Sequence, residues 1–256
     1  MKIVYYYQTF CGLQKVIDDS NNNITHIHLS SIHFDVDDIH LNDYSPYDER
    51  FESVWDDLDI LRQKKDINTI LMIGGAGGAF QQMFTDFDKY YKMVYTLITS
   101  KKNLIKGVDL DIEEEVDIND IIKLILRFKS DFGLDFIISM TPIQSSLQTD
   151  NSGMGGFVYK HLYNKLGNLI DYFNVQCYGD YSIDCIKSIV KNGYPVEKIN
   201  MGMMSYQYNV TIPDIIKEII KLYPHFGGVY DWEYNDAVPN WNHLIDVNKV
   251  HLVNYD

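Results

Sequence analysis

Ile105-Lys106-Gly107-Val108-Asp109-Leu110-Asp111-Ile112-Glu113-Glu114-Glu115 alternates acidic and apolar residues through its middle. At the two-residue period of a strand, Asp109, Asp111 and Glu113 share one face, while Val108, Leu110 and Ile112 share the other. Like charges spaced about 6–7 Å apart along a strand repel, and burying them without basic partners is costly. At least one of the three acids is therefore expected to hold a proton at neutral pH, as a general acid must. The same alternation also fits an edge strand with its acids in solvent, and the rest of the chain decides between the two.

Outward from this stretch, apolar runs and helical patterns alternate. Strands are expected at 2–8, 24–34, 67–73, about 134–141, 170–178, 199–204 and 226–232, with the acidic strand fourth in order. Helical spacing marks 51–61 (Phe51, Val54, Trp55, Leu58, Leu61), 87–100, 118–128 with Asp117 or Asn119 as cap, 157–166, 182–190 and 213–222. A shorter helical piece is expected at 13–18. Acidic residues 35–48 and polar residues 142–156 read as loops. Eight strands alternating with helices or crossovers imply a parallel sheet, which closes naturally as a single-domain (β/α)8 TIM barrel over residues 1–256. An open doubly wound sheet is the second choice. Gly75, Glu113, Pro142, Tyr178 and Trp232 all fall at or just past the carboxyl ends of these strands, where barrel enzymes place their sites.

Composition narrows the partners. Among 256 residues there are 36 acidic and 22 basic, a net charge of −14, with three arginines. Nucleic acid and anionic membranes, which need a basic face, are poor partners, and a neutral substrate fits better. Cys11, Cys177 and Cys185 are odd in number and lack metal-ligand spacing, so no disulfide framework is indicated. The apolar run 3–7 is too short and too aromatic for a signal-peptide core, and no run reaches membrane-spanning length. A soluble, unsecreted monomer needing no cofactor is expected. Gly74-Gly75-Ala76-Gly77-Gly78 has neither the spacing of a dinucleotide fingerprint nor the lysine and hydroxyl of a P-loop, but it would let backbone approach a ligand closely.

Together these pieces resemble glycoside hydrolase family 18, the chitinases and related endo-N-acetylglucosaminidases. Residues 106–113 match the last three acids of the family's DxxDxDxE signature, with Lys106 where the first acid is usual. The glycine cluster resembles the SxGG element, with Met72 or Ile73 at the serine position. Gln176-Cys177-Tyr178 resembles the Q-x-Y end of the sixth strand, and Gly227-Gly228-Val229-Tyr230-Asp231-Trp232 resembles the eighth-strand segment whose tryptophan floors the sugar site.

The resemblance implies roles. Glu113 is the general acid, and Asp111 orients the substrate's acetamido group and stabilises the charge it develops. Tyr178 hydrogen-bonds the acetamido oxygen, and Asp109 tunes Asp111. Trp232, Gln176, Met140, Gly75 and Tyr6 are the candidate substrate-binding residues. The implied activity is endo-hydrolysis of β-1,4-linked N-acetylglucosamine polymers with retained configuration, the acetamido group being the nucleophile. Endo-β-N-acetylglucosaminidase action on N-glycans and a catalytically silent chitin-binding lectin are the alternatives within the family. Outside it, the acid row could ligate a metal for phosphodiester hydrolysis, with His26, His28 and His33 as its histidine cluster. Only residues 205–212 separate the seventh strand from the next helix, so a shallow, open cleft is expected.

Overall fold

The computed structural model describes residues 1–20, 22–101, 104–207 and 211–237. Among the described residues there are nine strands: β1 (Lys2–Tyr7), β2 (His26–Phe34), β3 (Ile39–Leu41), β4 (Asn68–Gly74), β5 (Ile105–Asp111), β6 (Ile137–Met140), β7 (Tyr172–Val175), β8 (Ile199–Met204) and β9 (Gly228–Trp232). All except β3 run parallel, and β1 pairs with both β2 and β9. That double pairing closes an eight-stranded (β/α)8 barrel and excludes the open sheet. The acidic strand β5 is the fourth of the barrel.

The alternation sorts residues as the pattern requires. Val108 and Leu110 join the large apolar core between the barrel and its helices, whereas Val4, Tyr6, Met72 and Tyr230 cluster separately inside the barrel. Helix 118–132 illustrates how the outer layer is held. Asp117 caps it by accepting from Asn119 N at 2.8 Å, Ile121, Leu124, Ile125 and Phe128 are buried, and Gly133 at φ 89° ends it. Each such buried side chain contributes roughly 1.5–3 kcal/mol, and the cap about 1 kcal/mol. Among the described residues no helix is long and apolar enough to cross a membrane.

Several boundaries differ from expectation. β3 pairs antiparallel with the end of β2 inside the acidic loop, a short helix forms at Gln144–Gln148 within the stretch read as a polar loop, and another forms at Phe80–Thr85, where no element was expected. β6 starts at Ile137 rather than near 134, because Lys129 Nζ takes the carbonyls of Leu134 (3.0 Å) and Phe136 (2.6 Å). β7 ends at Val175, after which Gln176 N donates to Pro142 O at 2.9 Å and the chain bends. Cys177 and Cys185 are buried free thiols, but Cys11 is exposed. Of the segment expected between the seventh strand and the next helix, residues 208–210 lie outside the described residues, as do 238–256 of the expected domain.

Candidate active site

Asp109, Asp111 and Glu113 project from the carboxyl end of β5, and their surroundings differ at each step up the strand. Asp109 is fully buried. Its Oδ2 accepts from Tyr6 OH (2.7 Å) and Thr141 Oγ1 (2.8 Å), its Oδ1 accepts from Ser139 Oγ (2.6 Å), and His28 Nδ1 lies 3.3 Å from Oδ2. Burial pushes this carboxyl up, but His28 and the hydroxyl donors outweigh it and hold the group below its ordinary range. Behind it a hydrogen-bonded chain runs from Asn200 Nδ2 to Asn174 Oδ1 (2.8 Å) and from Asn174 Nδ2 to Tyr6 OH (2.8 Å). Asp109 is thus the stable anion of the row.

Asp111, two residues on, is 5% exposed and among the described residues receives a single side-chain donor, Gln176 Nε2 at 3.3 Å. Burial, then the charges of Glu113 and Asp109, push its carboxyl well above the ordinary range, with Gln176 opposing weakly. The proton expected on the acid row therefore belongs at Asp111. Glu113, just beyond the strand, is half-buried, and its Oε1 accepts from the same Gln176 nitrogen at 3.1 Å. Gln176 Nε2 also donates to Thr141 O at 3.0 Å, which fixes the amide between the two carboxylates.

These groups open onto a cavity of about 250 Å³ lined by Asp111, Glu113, Gln176, Tyr178, Trp232 and Gly75, together with Gln8, Ser31, Met72, Ala76 and Met204. Tyr178 OH accepts from Tyr230 OH at 3.1 Å, and burial pushes the phenol up, so it is a hydrogen-bond donor at any physiological pH. Gly75 has φ 83°, and a Cβ there would lie 2.8 Å from Met72 Cε and 3.4 Å from Asp111 Oδ2. The glycine lets the wall come this close. Glu114 fastens the same wall, its Oε1 accepting from the backbone of Ala79 and Phe80.

Two expected contacts are corrected. Met140 is turned away: it is fully buried in the core between barrel and helices, because Ser139 in β6 and Thr141 just past its end occupy the inward positions. Tyr6 is also fully buried and lies outside the cavity lining, its hydroxyl committed to Asp109 and Thr141. It supports the site from below. The three histidines do not converge on the acids: His26 bonds Thr25, His28 faces Asp109 and Tyr172, and His33 lies between Ser31 and Gly78 O. Among the described residues no group of three or more His, Cys, Asp and Glu is arranged to hold a metal.

The supports of Asp109 were missed, although the inward positions of neighbouring strands name them: His28 in His26-Ile27-His28-Leu29, and Ser139 and Thr141 around Met140. Ser31 could not be reached this way. The register of β2 against β4 shifts between Leu29 and Ile32, which turns Ser31 to the cavity against simple alternation.

A family model for glycosyl hydrolases family 18 matches residues 2–246. The chain belongs to this family. It is a glycosidase with the fold shared by the family's chitinases and endo-β-N-acetylglucosaminidases. A fungal endo-β-N-acetylglucosaminidase of family 18 is 27% identical, with a TM-score of 0.88, over 98% of this chain and 96% of that one. Chitinase ChiC from Aspergillus fumigatus is 26% identical, with a TM-score of 0.87, over 97% and 99%. A chitinase-like agglutinin from Robinia pseudoacacia, 14% identical with a TM-score of 0.66 over 96% and 98%, shares the fold. No curated protein sequence matches the chain.

Lys106, where the family signature usually begins with an acid, lies three residues before Asp109. The odd spacing puts it on the opposite face of β5, and it lines a surface depression with Ile98, Thr99 and Asp135 on the helix side. The substitution leaves the acid row intact.

Proposed function

We propose that this family 18 glycosidase cleaves β-1,4 bonds within N-acetylglucosamine polymers, endo-acting and with retained configuration, using the substrate's acetamido group as nucleophile. The observation that carries this reading is the single amide nitrogen of Gln176 held by both Asp111 and Glu113 at the wall of a cavity edged by Tyr178 and Trp232. The two carboxylates converge on one side, so the attack on the anomeric carbon comes from the substrate itself rather than from a carboxylate across the ring.

Glu113 protonates the leaving glycosidic oxygen while the acetamido oxygen closes on the anomeric carbon. The Asp111–Glu113 pair enters this step sharing one proton, which Glu113 delivers to the leaving oxygen; Asp111, thereby ionised, accepts a hydrogen bond from the acetamido N–H and balances the positive charge that spreads over the cyclised ring. Tyr178 OH holds the acetamido oxygen in line, and the indole of Trp232 packs against the sugar face. Water then opens the cyclic intermediate, with Glu113 as the base that accepts its proton. Two displacements at one carbon retain its configuration, and NMR of the first-formed product anomer tests this: an inverted product refutes the route.

A second reading shares the chemistry but not the substrate. The fungal endo-β-N-acetylglucosaminidase at 27% identity favours cleavage within the N-acetylglucosamine pair of an N-glycan. A parallel assay of chitin oligomers and a high-mannose glycan, with products sized by mass spectrometry, separates the two. Binding of both without turnover of either would favour a lectin.

A further inference from the structure

Gln8, Met204 and Trp232 line one stretch of the cavity from three strand ends that are consecutive around the barrel, β1, β9 and β8. None of the three belongs to the acid row, and the seam between them is closed by a residue that the chemistry above does not use. Glu233, next to Trp232, is only 5% exposed. Its Oε1 accepts from Thr9 Oγ1 at 2.7 Å, and its Oε2 accepts from the backbone nitrogens of Gln8 (3.2 Å) and Thr9 (3.5 Å). The other end of Gln8 is held as well, its carbonyl accepting from Asn42 Nδ2 at 3.0 Å. On the β8 side, Ser205 Oγ lies 2.7 Å from Asp231 Oδ1 and 2.9 Å from Glu233 O, in reach of both.

We propose that Glu233 is a positioning residue for substrate binding, fastening the Gln8–Thr9 segment to the end of β9 so that Gln8 and Trp232 meet the sugar as one preset wall. A buried carboxylate is costly unless donors satisfy it, so releasing the segment would strand the charge. The segment is therefore held in place before substrate arrives, and the ordering cost is removed from the binding step. Glu233 touches no reacting atom. Its removal acts on affinity, whereas loss of Glu113 acts on turnover. The inference rests on the glycosidase reading above.

The test compares wild type, Glu233→Ala, Glu233→Gln and Thr9→Val, using hydrolysis of an N-acetylglucosamine tetramer and calorimetric binding of the same oligomer. Glu233→Ala should raise KM about 10-fold with kcat within about 3-fold, and weaken binding by the same factor. Thr9→Val removes only the 2.7 Å bond and should raise KM about 3-fold. Glu233→Gln keeps one acceptor oxygen and should fall between wild type and Ala. A lower melting temperature with unchanged KM and affinity in all three variants would make Glu233 merely structural and overturn the inference. If Glu233→Ala does not fold, Thr9→Val and Glu233→Gln decide by the same criterion. A wild-type protein that neither binds nor cleaves the oligomer or a high-mannose glycan refutes the glycosidase substrate reading, and the inference falls with it.

Discussion

Asp111→Asn should separate activity from stability. The side chain is 5% exposed, and burial together with the charges of Glu113 and Asp109 keeps its proton bound well above the ordinary carboxylate range. The folded state therefore holds a proton that the unfolded chain releases near pH 4. An acid raised in this way destabilises the fold as pH climbs from its unfolded value through its folded one, because the unfolded state loses the proton first. Asparagine keeps the shape and the oxygen that accepts from Gln176 at 3.3 Å, but it has no charge to bury. At pH 4 the variant should match wild type. At pH 7–8 it should be more stable, each 1 kcal/mol of relief raising the melting temperature by about 2–4 °C for a chain of this size. Asp109, held low by His28 and its hydroxyl donors, adds a dependence of opposite sign, present above pH 4 and lost in acid, but both proteins share it. Turnover should fall about 10²–10³-fold, the usual cost of removing a group aimed at developing charge. Calorimetric melting from pH 4 to 8 beside kcat on the best oligomer gives both readouts. A wild type and variant that melt in parallel across that range would refute the protonation argument.

Glu113→Gln should lose about 10²–10⁴-fold in kcat while oligosaccharide affinity is kept, since the amide preserves shape without a transferable proton; equal losses of both, measured by calorimetry and turnover, would make Glu113 structural. Gly75→Ala places a methyl 2.8 Å from Met72 Cε at φ 83°, so it should cost about 1–2 kcal/mol in the fold and push Met72 into the cavity, raising KM. Denaturant midpoints and KM measured together check both halves of that statement. Asp231 is pushed up to about 7, chiefly by burial and next by Glu233, against the Ser205 hydrogen bond. Its contribution to stability therefore declines as pH rises from about 4 through 7, and Asp231→Asn should flatten that part of the profile while leaving the product anomer unchanged.

Much of this site was legible because period-two alternation is a strong constraint when one strand face is buried. The shared face of Asp109, Asp111 and Glu113 followed from it directly, and the closed barrel followed from eight strands alternating with helices or crossovers. The failures have physical causes of the same kind. Met140 was expected at the sugar, when the parity of Ser139 and Thr141 already turned it outward. Tyr6 was expected at the sugar, but its position, one level down the barrel, gives its hydroxyl to Asp109. Ser31 depends on a register shift and Glu233 on a contact 224 residues away along the chain, and neither leaves a local signal.

The acid row works because three similar side chains receive unequal numbers of donors. Asp109 collects three hydroxyls, one from β1 and two from β6 and its end, plus the His28 ring of β2, and remains an anion without solvent. That fixed charge is itself one reason the proton stays on Asp111, which the barrel leaves with one amide donor. In the empty site Asp111 therefore keeps its proton, and its ionised form is at a disadvantage. In the proposed route positive charge develops on the bound sugar and reverses this disadvantage, because a neighbouring cation favours the ionised form. The interaction is stronger at the transition state than before it, which is the condition for binding energy to appear as rate. Lys106 does not disturb this arrangement, since it stands three positions, an odd step, before Asp109 and lies on the opposite face of β5. In the proposed route the three inward acids, rather than the first position of the signature, hold the chemistry.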